Sequence, residues 1–195
     1  MLKLLLVGLI VAAALVVLYL TASALYRALA RYARGLLLYR GQRVVVCPET
    51  RRYVAVEVDA LHAAATASDG ETELRLRSCT RWPERRDCEQ DCVHQIENAP
   101  EDCAVRKMLA DFYEGRRCAV CRRAFGEIHW DDHKPALLRP EDGRTFGWRD
   151  LAPESLPELL ETHLPVCWNC HVAATFRREH PELVTDRDSK AAAHV

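Results

Sequence analysis

Leu164-Pro165-Val166-Cys167-Trp168-Asn169-Cys170-His171 is the stretch that decides how this chain reads. Cys167 and Cys170 have the spacing of half a tetrahedral zinc site, two thiolates presented by one tight turn. With His171 the same residues satisfy the attachment pattern of a c-type haem, two thioether links and an axial imidazole. Zinc requires a second cysteine pair elsewhere. Haem requires a second axial ligand and a domain outside the cytoplasm; His163, His180 and Met108 are the candidates for that ligand.

The second pair lies upstream, at Cys118-Ala119-Val120-Cys121. Two pairs supply four thiolates to one zinc ion, which accounts for all four cysteines at once, whereas haem leaves Cys118 and Cys121 unexplained. Arg123-Ala124-Phe125-Gly126 continues the first pair as a knuckle. Glu127 to Trp130 reads as a strand, Pro140 to Gly143 as a turn, and Thr145 to Trp148 as a second strand. Ser155-Leu156-Pro157-Glu158 has the form of a capping box opening a helix to about Thr162. Val172, Ala173 and Phe176 place a last helix after Cys170, stopped near His180 by Pro181. A knuckle, a hairpin and a cysteine pair at a helix start predict a treble-clef over residues 116–181. The polar, then Ala-rich tail over 182–195 reads as disordered.

Asp132-His133-Lys134-Pro135-Ala136-Leu137 lies between the two pairs. Together with Cys118-Ala119-Val120-Cys121 and the opening stretch, it resembles the zinc-bound branch of the HNH nuclease family over about residues 115–178. The resemblance implies that Asp132 and His171 hold a catalytic Mg²⁺ or Mn²⁺ and that His133 is the general base. The family's Asn before the last pair is matched by Thr162, or by His163 with a one-residue shift, and its Lys after the final His is Ala174. The pattern is therefore incomplete, and Asp132-His133 also reads as a structural pair closing the hairpin.

Nine cysteines in 195 residues is an odd number, which argues against a closed set of internal disulfides. A formal net charge of −1 provides no global field toward nucleic acid. No phosphate-cradling Gly-rich loop, nucleophile elbow or thioredoxin-like pattern is present.

Further upstream, residues 99–115 read as a connecting helix, with Pro100, Glu101 and Asp102 at its start and Val105, Met108, Leu109 and Phe112 on one face. Residues 42–98 form an N-terminal cysteine module. Arg43 to Val46 and Tyr53 to Val58 read as paired strands, 59–67 as a short helix and Glu73 to Ser78 as a third strand. Cys47 and Cys79 then fall at strand ends, and Cys88 and Cys92 one helical turn apart. These four are candidate ligands for a second zinc or an iron–sulfur cluster, or are simply buried thiols.

From Leu4 to Tyr26 no residue is charged. At about 1.5 Å per residue the run covers about 34 Å, enough to cross a hydrocarbon core of about 30 Å. Ala22-Ser23-Ala24 resembles a signal-peptide cleavage site, but the long apolar run and the arginines that follow favour an uncleaved anchor. Arg27, Arg31, Arg34, Arg40 and Arg43 outnumber Lys3 on the other flank, so the body is predicted to be cytoplasmic.

The expectation is thus an α+β chain. Residues 1–41 form a single-pass membrane anchor and basic helix, followed by two cysteine-organised modules, the second a treble-clef. Its expected role is as a zinc-binding adaptor with a protein or nucleic-acid partner. Metal-dependent endonuclease and exported c-type haem protein are the alternatives.

Overall fold

A single helix of 38 residues, α1 (Leu2–Tyr39), opens the computed structural model. The structure describes residues 1–85, 87–132 and 134–184, with residues 2–5 and 69 described by backbone alone. The chain divides into two compact units, Met1–Glu101 and Asp102–Val195. In α1 the segment Leu6–Tyr39 is long and apolar enough to cross a membrane, and none of its most apolar part is buried among the described residues. The helix continues unbroken through Arg27, Arg31 and Arg34, which are exposed.

The last turns of α1 are packed. Helix α2 (Ala60–Asp69) starts with the Asp59 carboxylate accepting from the His62 amide at 3.1 Å, and ends at Gly70 in the left-handed conformation. Ala63 and Ala64 on α2 are fully buried. A Cβ added at Gly35 of α1 would lie 3.1 Å from the Ala64 Cα and 3.5 Å from the Ala67 Cβ. Small residues on both sides let the two backbones approach closely. Gly35→Val is expected to force α1 off α2, an overpacking cost of about 1–3 kcal/mol, read as a lower thermal midpoint for the first unit.

Arg43 corrects the charge reading. It does not join the other flanking arginines on the surface but is 1 % exposed. Its guanidinium donates to the carbonyls of Tyr39 at 2.8 Å, of Gly41 at 3.2 Å and of Leu38. A cation thereby closes the carbonyl end of α1, where free C=O groups and the helix dipole both favour it.

Beyond Arg43 the alternating apolar residues form an antiparallel sheet in the order β1 (Gln42–Val46), β2 (Tyr53–Val58), β3 (Leu76–Cys79). Val44, Val45, Val54, Val56 and Leu76 are buried in this unit, together with Val93 and Ile96 of α3 (Val93–Asn98). Two expectations change here. The third strand starts at Leu76 rather than Glu73. Cys88 and Cys92 do not share a helical turn, because Gln90 between them has a left-handed backbone (φ 62°) and α3 begins only after Cys92.

In the second unit the helix expected over 99–115 is shorter: α4 spans Val105–Tyr113, and residues 100–103 form turns instead. Its buried face is Val105, Leu109, Phe112 and Tyr113, which includes most of the predicted stripe. Residues 127–130 do not form a strand. The sheet consists of β4 (Ala136–Leu138), β5 (Thr145–Gly147) and β6 (Leu164–Val166), antiparallel in the order β5-β4-β6. Pro165 is accommodated in β6 because that strand is at the edge. The turn between β4 and β5 is the expected one, with Gly143 at φ 67°.

Helix α5 (Leu156–Thr162) forms as expected, but Ser155 bonds back to the Ala152 carbonyl at 2.7 Å and closes no capping box. Helix α6 (Trp168–Glu179) starts at Cys167 and stops at His180 before Pro181. Tyr113 at the end of α4 donates to the Ala136 carbonyl and meets the Phe125 ring edge-on at 4.7 Å, fastening α4 to the sheet. The mixed α+β organisation is as expected. Pro181–Leu183 forms a short 3-10 turn, and the rest of the tail, 185–195, lies outside the described residues.

Candidate metal centre

Four sulfurs meet in the second unit. The Sγ atoms of Cys118, Cys121, Cys167 and Cys170 all lie within 4.8 Å of one another, a cluster that can hold a metal ion. Cys118 is fully buried, Cys167 and Cys170 are half-buried, and Cys121 is exposed. The Cys121 and Cys167 sulfurs are 3.7 Å apart. A tetrahedron with metal–sulfur bonds of about 2.3 Å has edges of about 3.8 Å, so the spacing suits a single ion of zinc's size.

The backbone explains the convergence. At the first pair the chain turns so that the Cys118 amide donates to the Arg123 carbonyl at 2.9 Å and the Arg122 amide to the Cys118 carbonyl at 3.0 Å. Arg122 is left-handed (φ 62°), and Arg117 bridges to Ala124. The Ala119 amide reaches the Pro165 carbonyl at 2.9 Å, docking this turn on β6. The same strand delivers Cys167 to the start of α6, with Cys170 in its first turn. The Leu164 to Val166 segment that precedes the second pair is therefore the bracket for the first.

Electrostatics favour a cation at this point. Burial opposes ionisation of Cys118. Even so, the amides of Cys167, Cys121 and Val120, all aimed at its sulfur, bring it down to about 6. Burial and the neighbouring thiols push Cys167 and Cys170 up. Four thiolates so close repel one another, and a divalent cation removes the repulsion.

His171 follows the cluster on α6. Its Nδ1 is 2.9 Å from the Thr145 hydroxyl of β5, and its ring is 5.1 Å from that of Trp168. Thr145 is buried. The Asp150 carboxylate accepts from the Gly147 amide at 3.2 Å. A Cβ at Gly147 would lie 2.8 Å from Asp150 Oδ2 and 3.9 Å from His171 Nε2. Burial lowers the His171 pKa against the pull of Asp150, so the ring is neutral near pH 7 and available as a metal ligand or a proton acceptor.

The other predicted site residues are dispersed. Asp132 is exposed and, among the described residues, forms no ion pair or ligand group with His171. His133, the expected general base, lies outside the described residues. His163 is 8 % exposed; its Nδ1 is 2.9 Å from the Thr162 hydroxyl, and its Nε2 is buried without a partner. Burial lowers its pKa. Lys134 does approach the site, with its ammonium 5.7 Å from the centre of the Trp168 ring. Thr145 and Asp150 carry no signal in the sequence; only the sheet brings them to His171.

In the first unit Cys47, Cys79, Cys88 and Cys92 line one cavity of about 230 Å³. They are spaced more widely than the second set, which among the described residues is the group united within 4.8 Å. Burial, and then the charges of Cys79, Cys88 and Cys47, push Cys92 up to about 11.

Compared with family models, with curated proteins and with solved structures, the chain matches none.

Proposed function

We propose that this chain is a membrane-anchored zinc protein whose second unit is a treble-clef module acting as a binding or adaptor element on the cytoplasmic face. The observation that carries this is the convergence of two Cys-x-x-Cys pairs on one point, with sulfurs within 4.8 Å. The order knuckle, β4–β5 hairpin, β6 and cysteine-led α6 supports the treble-clef assignment. Tetrahedral thiolate ligation closed by four cysteines leaves no open position on the ion, which suits a structural role. Covalent haem would take Cys167 and Cys170 away from Cys118 and Cys121 and free His171 from Thr145; zinc uses all these groups where they stand. The exposed Arg27, Arg31, Arg34 and Arg40 after the apolar segment support the cytoplasmic orientation.

The deciding experiment is elemental analysis with an absorbance spectrum on the detergent-purified chain. Zinc without a Soret band is expected, and its loss in Cys167→Ala. A Soret band, or a Cys167→Ala protein of unchanged metal content and stability, would overturn the assignment.

A second reading, a metal-dependent endonuclease, is favoured by one observation: His171 is held by the Thr145 hydroxyl at 2.9 Å, with its Nε2 beside Gly147. On this reading Asp132 and His171 hold Mg²⁺ or Mn²⁺ and His133 activates water. DNA nicking that requires the divalent ion and disappears in both His133→Ala and His171→Ala would establish it. Absence of nicking in the wild-type chain at any metal concentration removes it.

A further inference from the structure

The turn that carries Cys47 repeats the closing backbone bonds of the turn that carries Cys118. The Cys47 amide donates to the Arg52 carbonyl at 2.9 Å and the Arg51 amide to the Cys47 carbonyl at 2.8 Å, as Cys118 does with Arg123 and Arg122. Arg51 is left-handed (φ 55°), as Arg122 is. Val46 pairs with Tyr53 across the turn, as Arg117 pairs with Ala124. The amides two and three residues on, Glu49 and Thr50, point at the Cys47 sulfur, as those of Val120 and Cys121 point at Cys118. The sequences Cys47-Pro48-Glu49-Thr50-Arg51-Arg52 and Cys118-Ala119-Val120-Cys121-Arg122-Arg123 differ in one chemically decisive place, where Thr50 replaces the second cysteine.

Cys47 is therefore held in a metal-knuckle turn that supplies one thiol instead of two. The missing ligand is available nearby, because Cys79 at the end of β3, Cys88 in the following loop and Cys92 before α3 line the same cavity. Donors already surround these sulfurs. Arg81 Nη1 is 3.2 Å from the Cys47 Sγ and the Gln90 amide 3.4 Å from the Cys88 Sγ. Amides and a guanidinium directed at sulfur stabilise thiolates, the form that binds metal.

We infer that Cys47, Cys79, Cys88 and Cys92 are the ligands of a second thiolate-bound metal centre, independent of the Cys118 cluster. Four thiolates on a zinc ion, or on a cubane iron–sulfur cluster, leave a doubly negative centre; Arg81 and Arg85, linked through Glu49 at 2.5 and 3.3 Å, lie beside it to offset that charge. The cavity of about 230 Å³ that these four residues line has room for either.

The test counts metal and protected thiols on the full chain, purified in detergent without oxygen. The wild type is expected to carry two centres. Cys79→Ser should lose the Cys47 centre and keep the Cys118 cluster, and Cys170→Ser should do the reverse, so failure of either assignment is distinguishable from failure of the other. Iron with acid-labile sulfide and visible absorbance identifies a cluster; zinc alone identifies an ion; both support the inference. If Cys79→Ser does not fold, the wild type still decides. Cys47, Cys79, Cys88 and Cys92 should resist alkylation until a chelator is added. One centre per chain, with these four thiols alkylated equally fast before and after chelation, overturns the proposal.

Discussion

On the proposed zinc assignment, Cys118→Ser is expected to strip the metal from the second unit and unfold it. Among the described residues its three strands are three residues each, and the buried apolar side chains besides Cys118 are Val105, Leu109, Phe112 and Tyr113 on α4, with Ala136, Leu137, Leu156 and Val166. Structural zinc contributes about 10–16 kcal/mol of apparent binding energy in small peptides, more than the few kcal/mol a core of this size leaves after chain entropy. Cys118 is the ligand to remove because it is fully buried and accepts the Cys167 amide at 3.4 Å, so its loss undoes both the metal and the link between the two pairs. The readouts are zinc content and proteolytic cleavage within residues 102–184; a variant that keeps its zinc and its resistance refutes the expectation. Acid should act in the same direction. The Cys118 thiol has a folded pKa below its ordinary value of 9.0, so its stabilising share is complete above that value and is lost as pH falls through about 6. A bound cation moves that window to still lower pH.

Deleting the first 26 residues is expected to convert the chain from a membrane-retained to a soluble protein without unfolding the first unit. The deleted part is apolar and exposed, with Leu9, Leu15, Val16 and Leu18 each more than half accessible. In a spanning helix each central Leu, Ile or Val contributes about −0.3 to −0.6 kcal/mol, and a central Arg costs about 2.5–3.5 kcal/mol. Leu15→Arg combined with Val16→Arg should therefore also weaken retention in the full chain. A cut past Gly35 has a different outcome, since it removes the part of α1 against which Ala63 and Ala64 are buried. Fractionation and thermal unfolding of the two truncations separate these effects. A chain cut before Arg27 that still sediments with membranes would show that the attachment lies elsewhere.

Much of this fold is legible in the sequence where a pattern is local. Tyr53 to Val58 alternates and is a strand; the short helix read over 59–67 forms as α2; Pro181 stops α6. Expectation and structure part where pairing decides. Glu127 to Trp130 has strand-like residues but forms no strand, while Leu164-Pro165-Val166 carries a proline and becomes β6 because β4 and the Cys118 turn both bond to it. The paired cysteines are readable because Cys-x-x-Cys is itself a local geometry. The likeness of Cys47 to Cys118 is not, because Thr50 erases the spacing and only the hydrogen bonds preserve it. Thr145 and Asp150 reach His171 by way of β5, through an arrangement with no local signature.

The closure of α1 by Arg43, together with the Gly35 contact, has a mechanical consequence. A flexible tether would let the first unit wander at any height above the bilayer. Here a continuous helix enters the unit and is gripped at its end. On the proposed membrane anchoring, with the span finishing near Tyr26, the stretch from Arg27 to Tyr39 is a helical post of about 20 Å at about 1.5 Å per residue. That anchoring would set the cavity of the first unit at a fixed standoff from the headgroups. A partner that reads this cavity needs to lie at that distance from the membrane, and a post lengthened by one helical turn would raise the cavity by about 5.4 Å and rotate it little.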